Sequence, residues 1–207
     1  NPERMNFGML RVLNDDLVQP NMGFGTHPHQ NMEIISIPLK GALSHKDSMG
    51  NKRAIEVDEV QVMSAGTGLT HSEFNDSKTD EVNFLQLWII PEEMSVKPNY
   101  EQRQFSTEGR QNTLQTVVAP KDKIEDDALP ISQQAYIYRT SLDSGKSLEL
   151  SSKSKNNGFY IFNVQGQVSV ANQELNDRDA VGIYNIENVD IKANNDSELI
   201  IIEVPMK

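Results

Sequence analysis

Apolar residues along this chain come in short runs separated by turn formers. Residues 33–37, 60–63, 84–90, 159–164 and 199–204 are apolar runs of strand length, and Pro38, Pro91 and Pro205 stand just beyond three of them. Extended, half-polar segments fill the intervals at 9–13, 16–18, 42–46, 53–57, 113–118, 135–139, 147–150, 167–171, 180–184 and 189–191. Asn14-Asp15 predicts a turn between the first two, and Asp47-Ser48-Met49-Gly50-Asn51 predicts a hairpin turn. Residues 92–130 are less regular, with one strand and a helical turn expected near 121–128. No stretch sustains a 3.6-residue apolar period, so the pattern predicts an all-β sandwich or barrel.

The order of features repeats weakly. In the first half an apolar run, Gly41, a strand, Asp58-Glu59-Val60 and a last run ending at Pro91 follow one another. In the second half the series is residues 159–164, Gly166, a strand, Asp179-Ala180-Val181 and residues 199–204 ending at Pro205. Two stacked β-barrels of related topology would produce it. The expected division is 1–105 for the first barrel, 106–134 for a connector and 135–207 for the second barrel. No histidine lies in the second half, so imidazole chemistry belongs to the first.

Composition narrows the function. A net charge of −11 opposes a phosphate-backbone partner, and direct nucleic-acid binding is not expected. No apolar run reaches membrane-span length, no signal peptide is visible, and a membrane partner is not expected either. The chain has no cysteine, hence no disulfide framework and no thiolate ligand or nucleophile, which fits a cytoplasmic protein. It begins at Asn1 without an initiator Met, and a preceding segment is expected.

Three of the four histidines fall in two short stretches, Gly25-Thr26-His27-Pro28-His29 and Gly68-Leu69-Thr70-His71-Ser72-Glu73. His27 with His29, and His71 with Glu73, are spaced two apart, which on a strand puts both side chains on one face. Side by side in a barrel, the two segments would bring three imidazoles and one carboxylate together, a donor set for a divalent transition metal. Such a set leaves coordination positions free, which makes the site catalytic rather than structural. Glu33, four residues after His29, is a rival ligand or a partner that orients an imidazole. His45 is expected to be exposed or structural, Trp88 and Gln86 to pack in the core or line a pocket, and Gly66 and Gly68 to serve a tight turn. The acidic run 125–127 reads as a solvated loop.

At these residues the sequence resembles the pirin family of the cupin superfamily. The likeness is carried by Gly23-Phe24-Gly25-Thr26-His27-Pro28-His29, by Met63-Ser64-Ala65-Gly66-Thr67-Gly68-Leu69-Thr70-His71-Ser72-Glu73, and by Leu85-Gln86-Leu87-Trp88. Upstream, Phe7-Gly8-Met9-Leu10-Arg11-Val12-Leu13-Asn14-Asp15-Asp16 resembles the segment before the family's histidine motif. The resemblance implies a bicupin, two jelly-roll barrels from one chain, with one metal in the N-terminal barrel. Carried over motif by motif, it implies His27, His29, His71 and Glu73 as ligands and demotes Glu33. It places Fe(II) ahead of Zn, Ni, Cu and Mn, and implies an extra N-terminal segment and a second barrel without ligands. It further implies quercetin 2,3-dioxygenase activity on a small aromatic flavonol, with Glu73 taking the proton of the 3-hydroxyl before the heterocyclic ring opens and carbon monoxide leaves. Some family members act instead as transcription co-regulators, so a non-enzymatic metal-binding module with a protein partner is the alternative.

Overall fold

The computed structural model describes residues 5–124 and 127–207. The chain divides into two compact units, one holding Leu10–Phe105 and Leu129–Gln133, the other Phe7–Met9, Ser106–Ala128 and Gln134–Lys207. The stretch 106–134 is thus shared between them. Both units are built almost wholly from β-strands, and among the described residues no helix is long and apolar enough to cross a membrane.

In the first unit the strands are β1 (Leu10–Val18), β2 (Gly23–His29), β3 (Glu33–Lys40), β4 (Ala42–Asp47), β5 (Lys52–Glu56), β6 (Glu59–Ser64), β7 (Leu69–Asn75), β8 (Val82–Ile89) and β9 (Asn99–Gln104). They form a five-stranded sheet of order β1-β8-β3-β6-β9 and a four-stranded sheet of order β2-β7-β4-β5. β3 and β8 are central and buried along almost their whole length, which explains why their sequences read as continuous apolar runs. β7 alternates buried and exposed positions, as a strand with one face inward must. Val18, Val82 and Phe84 of one sheet meet Leu43 and Ile55 of the other in a shared core. Fully burying side chains of this size stabilises by roughly 1.5–3 kcal/mol each.

Two expectations change here. Asn14-Asp15 makes no turn: β1 runs unbroken because β8 pairs with it throughout, Asn14 opposite Gln86 and Asp15 opposite Leu85. Cross-strand pairing outweighs the local turn preference of these two residues. The glycine stretch before His27 is itself strand, opening β2, with a register shift between Phe24 and His27. Gly23 is needed there, since a Cβ would stand 2.3 Å from the Glu73 carbonyl oxygen of β7. The helical turn expected near 121–128 is not among the described residues of that stretch; a 3-10 turn occurs instead at Glu108–Arg110. Glu125 and Asp126 of the acidic run lie outside the described residues.

The segment β11 (Leu129–Ile131) belongs to the first unit, whereas β10 (Gln115–Pro120) belongs to the second. The second unit continues with β12 (Tyr136–Leu142), β13 (Ser147–Ser151), β14 (Asn157–Gln165), β15 (Val168–Val170), β16 (Gln173–Leu175), β17 (Ala180–Tyr184), β18 (Asn188–Ala193) and β19 (Ser197–Pro205). β10-β12-β19-β14-β17 face β13-β18-β15-β16 across a core that includes Tyr138, Phe159, Ile161, Ile191 and Ile201. Glu203 is buried in this unit. Glu203 accepts hydrogen bonds from Tyr138 Oη (2.9 Å), Ser152 Oγ (3.0 Å), the Lys153 backbone N–H (2.7 Å) and Asn157 Nδ2 (2.9 Å). With so many donors, its carboxylate fastens the 152–157 loop to β19 rather than facing solvent.

Candidate metal centre

β2 and β7 are antiparallel neighbours, with His27 opposite His71 and His29 opposite Leu69. The i, i+2 rule and this register put His27, His29 and His71 on one face. Their ring centroids stand 4.8 Å (His27–His29), 4.4 Å (His27–His71) and 4.9 Å (His29–His71) apart. On the other side of β7 runs β4, with His45 opposite Glu73 and Asp47 opposite His71. Two overlapping groups result, His27–His29–His71 and His45–His71–Glu73, and within each the candidate ligand atoms lie within 4.8 Å of one another. The second group is buried throughout.

The turn feeding β7 explains the glycines between Ala65 and Leu69. Gly66 has φ +47°, and a Cβ on it would stand 2.0 Å from the Val96 carbonyl oxygen. No other residue fits that corner without displacing backbone.

The hydrogen bonds set the ligand atoms. His27 Nδ1 is 2.8 Å from the Gly25 carbonyl oxygen. A carbonyl only accepts, so Nδ1 carries a proton, and Nε2 is the nitrogen left to face a metal. Glu73 accepts from Ser36 Oγ at 3.2 Å on one oxygen and from Gln86 Nε2 at 2.6 Å on the other. Trp88 Nε1 donates to Gln86 Oε1 at 3.2 Å, which fixes the Gln86 amide the right way round for Glu73. Trp88 also stands edge-on to His29, ring centroids 5.0 Å apart, while packing against Ile34, Met63, Ala65 and Leu69. Of the two roles weighed for Trp88, core packing is the one these contacts show.

The donor set fits a metal. His29 Nε2, both ring nitrogens of His71 and His45 Nδ1 are buried without a hydrogen-bond partner among the described residues. Each unsatisfied buried polar group costs about 1–3 kcal/mol, which a coordinated cation would offset. Burial first, then the neighbouring His27, lowers the His29 pKa to about 4. Burial, then His27, His29 and His45, lowers that of His71 to about 3, against a smaller opposing pull from Asp47. Both imidazoles are thus neutral at pH 7, the state in which they ligate. Burial raises the Glu73 pKa, opposed by the hydrogen bonds from Gln86 and Ser36 and by His27. A nearby cation would favour its charged form.

All four residues of the expected set are brought to one region, Glu73 joining the other imidazoles through His71. Glu33 does not share a strand face with His29. Asn31, at φ +50°, turns the chain between β2 and β3, so Glu33 begins a strand of the other sheet. There it accepts from Ser64 Oγ at 2.6 Å and falls in neither group. His45 is the residue that sequence reasoning missed. The signal was present in the His45-Lys46-Asp47 spacing, but its meaning depends on β4 lying beside β7.

An all-β chain of two cupin units, with an imidazole–carboxylate cluster confined to the first, defines the class as a bicupin. The chain belongs to the pirin family: the model described as Pirin matches residues 1–89, and the one described as Quercetinase C-terminal cupin domain matches residues 116–204. It is 37% identical over 207 residues to a quercetin 2,3-dioxygenase of Escherichia coli (strain K12), covering 99% of this chain and 86% of that protein. A pirin-like protein of Caulobacter vibrioides is 35% identical over 202 residues, covering 98% and 86%. Among solved structures, the bacterial pirin YhhW of Escherichia coli in complex with nickel(II) is similar at TM-score 0.91 and 36% identity, over 99% of this chain and 86% of that one.

Proposed function

We propose that this protein is a metal-dependent dioxygenase that cleaves the heterocyclic ring of a flavonol such as quercetin, with release of carbon monoxide. His27, His29, His71 and Glu73 hold one divalent ion, Fe(II) first, with Ni(II), Cu(II), Mn(II) and Zn(II) compatible with the same donors. The reading is carried by one observation: His29 and His71, whose buried ring nitrogens lack hydrogen-bond partners among the described residues, converge with His27, and His71 stands in turn beside the desolvated carboxylate of Glu73. It is supported by the quercetin 2,3-dioxygenase name of the Escherichia coli relative and by the nickel(II) of the similar pirin structure.

A divalent metal in this site supplies Lewis acidity and open coordination positions. The side chains do the rest. His27 presents Nε2 because Gly25 holds Nδ1–H. Glu73 takes the proton of the flavonol 3-hydroxyl, a task suited to a carboxylate whose pKa burial has raised. Gln86 and Ser36 keep both Glu73 oxygens in place while the proton moves. Trp88, half-buried beside His29, offers an aromatic wall to a flat substrate.

The test is oxygen uptake with quercetin by protein reconstituted separately with each metal, run beside Glu73→Gln and His71→Ala. Turnover that depends on metal and is lost in both variants supports the dioxygenase. Stoichiometric metal binding without turnover keeps the site and moves the function to binding or regulation.

A further inference from the structure

We propose that His45 completes a second, overlapping ligand set, His45–His71–Glu73, that holds a divalent metal without His27 and His29. The inference rests on reading the cluster as a metal centre, and it adds a ligand outside the four residues already assigned.

Geometry comes first. One ring nitrogen of His45 lies within 4.8 Å of a ligand atom of His71 and of Glu73, as close as the members of the outer set lie to one another. All three residues are 1% exposed. They stand on β7 and β4, the two inner strands of their sheet, whereas His27 and His29 stand on the edge strand β2. Inner strands are held from both sides, so this set is the more rigidly built.

The state of His45 comes second. Its Nε2 faces Asp47 Oδ2 at 3.4 Å. Asp47 is itself anchored by the backbone N–H groups of Met49 (2.9 Å) and Asn51 (3.0 Å) and by Asn51 Nδ2 (2.8 Å). A carboxylate so held accepts a hydrogen bond from Nε2–H and leaves Nδ1 with a lone pair. That Nδ1 is buried and has no partner among the described residues. Carboxylate behind, lone pair in front, is the arrangement by which proteins prepare a histidine for a metal. Tyr100, its ring centroid 5.0 Å from that of His45, limits where the imidazole can swing. Two imidazole nitrogens and one carboxylate oxygen suit Co(II), Ni(II) or Zn(II).

Co(II) is titrated into His27→Ala/His29→Ala protein and followed by its visible absorption and by calorimetry. The double variant is expected to bind one Co(II) per chain, roughly 100-fold more weakly than the wild type. Adding His45→Ala abolishes that binding, while His45→Ala alone leaves one Co(II) bound through the outer set. No Co(II) in the folded double variant, with wild-type binding intact, overturns the inner set and leaves the outer one standing. Retained binding in the triple variant overturns it equally, because His45 is then not a ligand. A wild type that binds no Co(II) sinks both readings. His27→Gln/His29→Gln, which preserves side-chain bulk, carries the same comparison should the alanine pair fail to fold.

Discussion

Gln86 Nε2 donates to Glu73 Oε2 at 2.6 Å, and the Gln86 amide cannot flip without losing the hydrogen bond its Oε1 accepts from Trp88 Nε1. Glu73 is therefore aimed by an apolar-strand residue that contributes no ligand atom. Gln86→Leu keeps the volume and removes the donor. It is expected to weaken Ni(II) binding by roughly 10–100-fold, the usual cost of losing such an orienting partner. Calorimetric titration of Ni(II) checks it, and wild-type affinity in the variant would show that Gln86 does not position Glu73.

Trp88→Phe separates the two jobs of Trp88. The phenyl ring keeps an aromatic edge beside His29, but the donor to Gln86 is gone. Stability should fall by only about 1 kcal/mol, close to the net value of one hydrogen bond. Metal affinity should fall less than in Gln86→Leu, because the amide keeps its bond to Glu73 in part of the population. Urea unfolding and Ni(II) titration on the same protein give both numbers.

Gly66 and Gly25 make a contrasting pair. Alanine at Gly66 meets the Val96 carbonyl oxygen at 2.0 Å in a left-handed backbone, whereas alanine at Gly25 meets nothing within 4 Å. Gly66→Ala should cost about 3 kcal/mol and Gly25→Ala less than about 0.5 kcal/mol in denaturant unfolding. Equal effects would mean that the turn before β7 is not as tight as described.

In the second unit, Glu203→Ala removes the acceptor that a tyrosine hydroxyl, a serine hydroxyl, a backbone N–H and an asparagine amide now share. The expected loss is about 3 kcal/mol or more, as for breaking a buried charged network from one side. Glu203→Gln keeps one acceptor oxygen and should lose less. Thermal unfolding followed by near-ultraviolet dichroism, which reports Tyr136 and Tyr138 beside this site, orders the two variants.

Much of this was legible in the chain. The runs at 33–37 and 84–90 are the central strands β3 and β8, apolar because both of their faces are covered. The His27/His29 and His71/Glu73 spacings are readable because a strand repeats every two residues. What escaped depends on which strand lies beside which. Asn14 and Asp15 continue a strand only because β8 pairs with them. His45 enters the cluster only because β4 lies next to β7, and Glu33 leaves it because a left-handed Asn31 sends β3 into the other sheet. Local preference cannot report such neighbours.

The most direct test of the dioxygenase reading is to measure oxygen consumed and carbon monoxide released with quercetin by metal-loaded wild-type protein and by metal-loaded Glu73→Gln. One carbon monoxide released for each dioxygen consumed by the wild type, and a loss of roughly 100-fold or more in the variant, is the predicted result. Full metal loading with no carbon monoxide from the wild type, or equal release from Glu73→Gln, would contradict it.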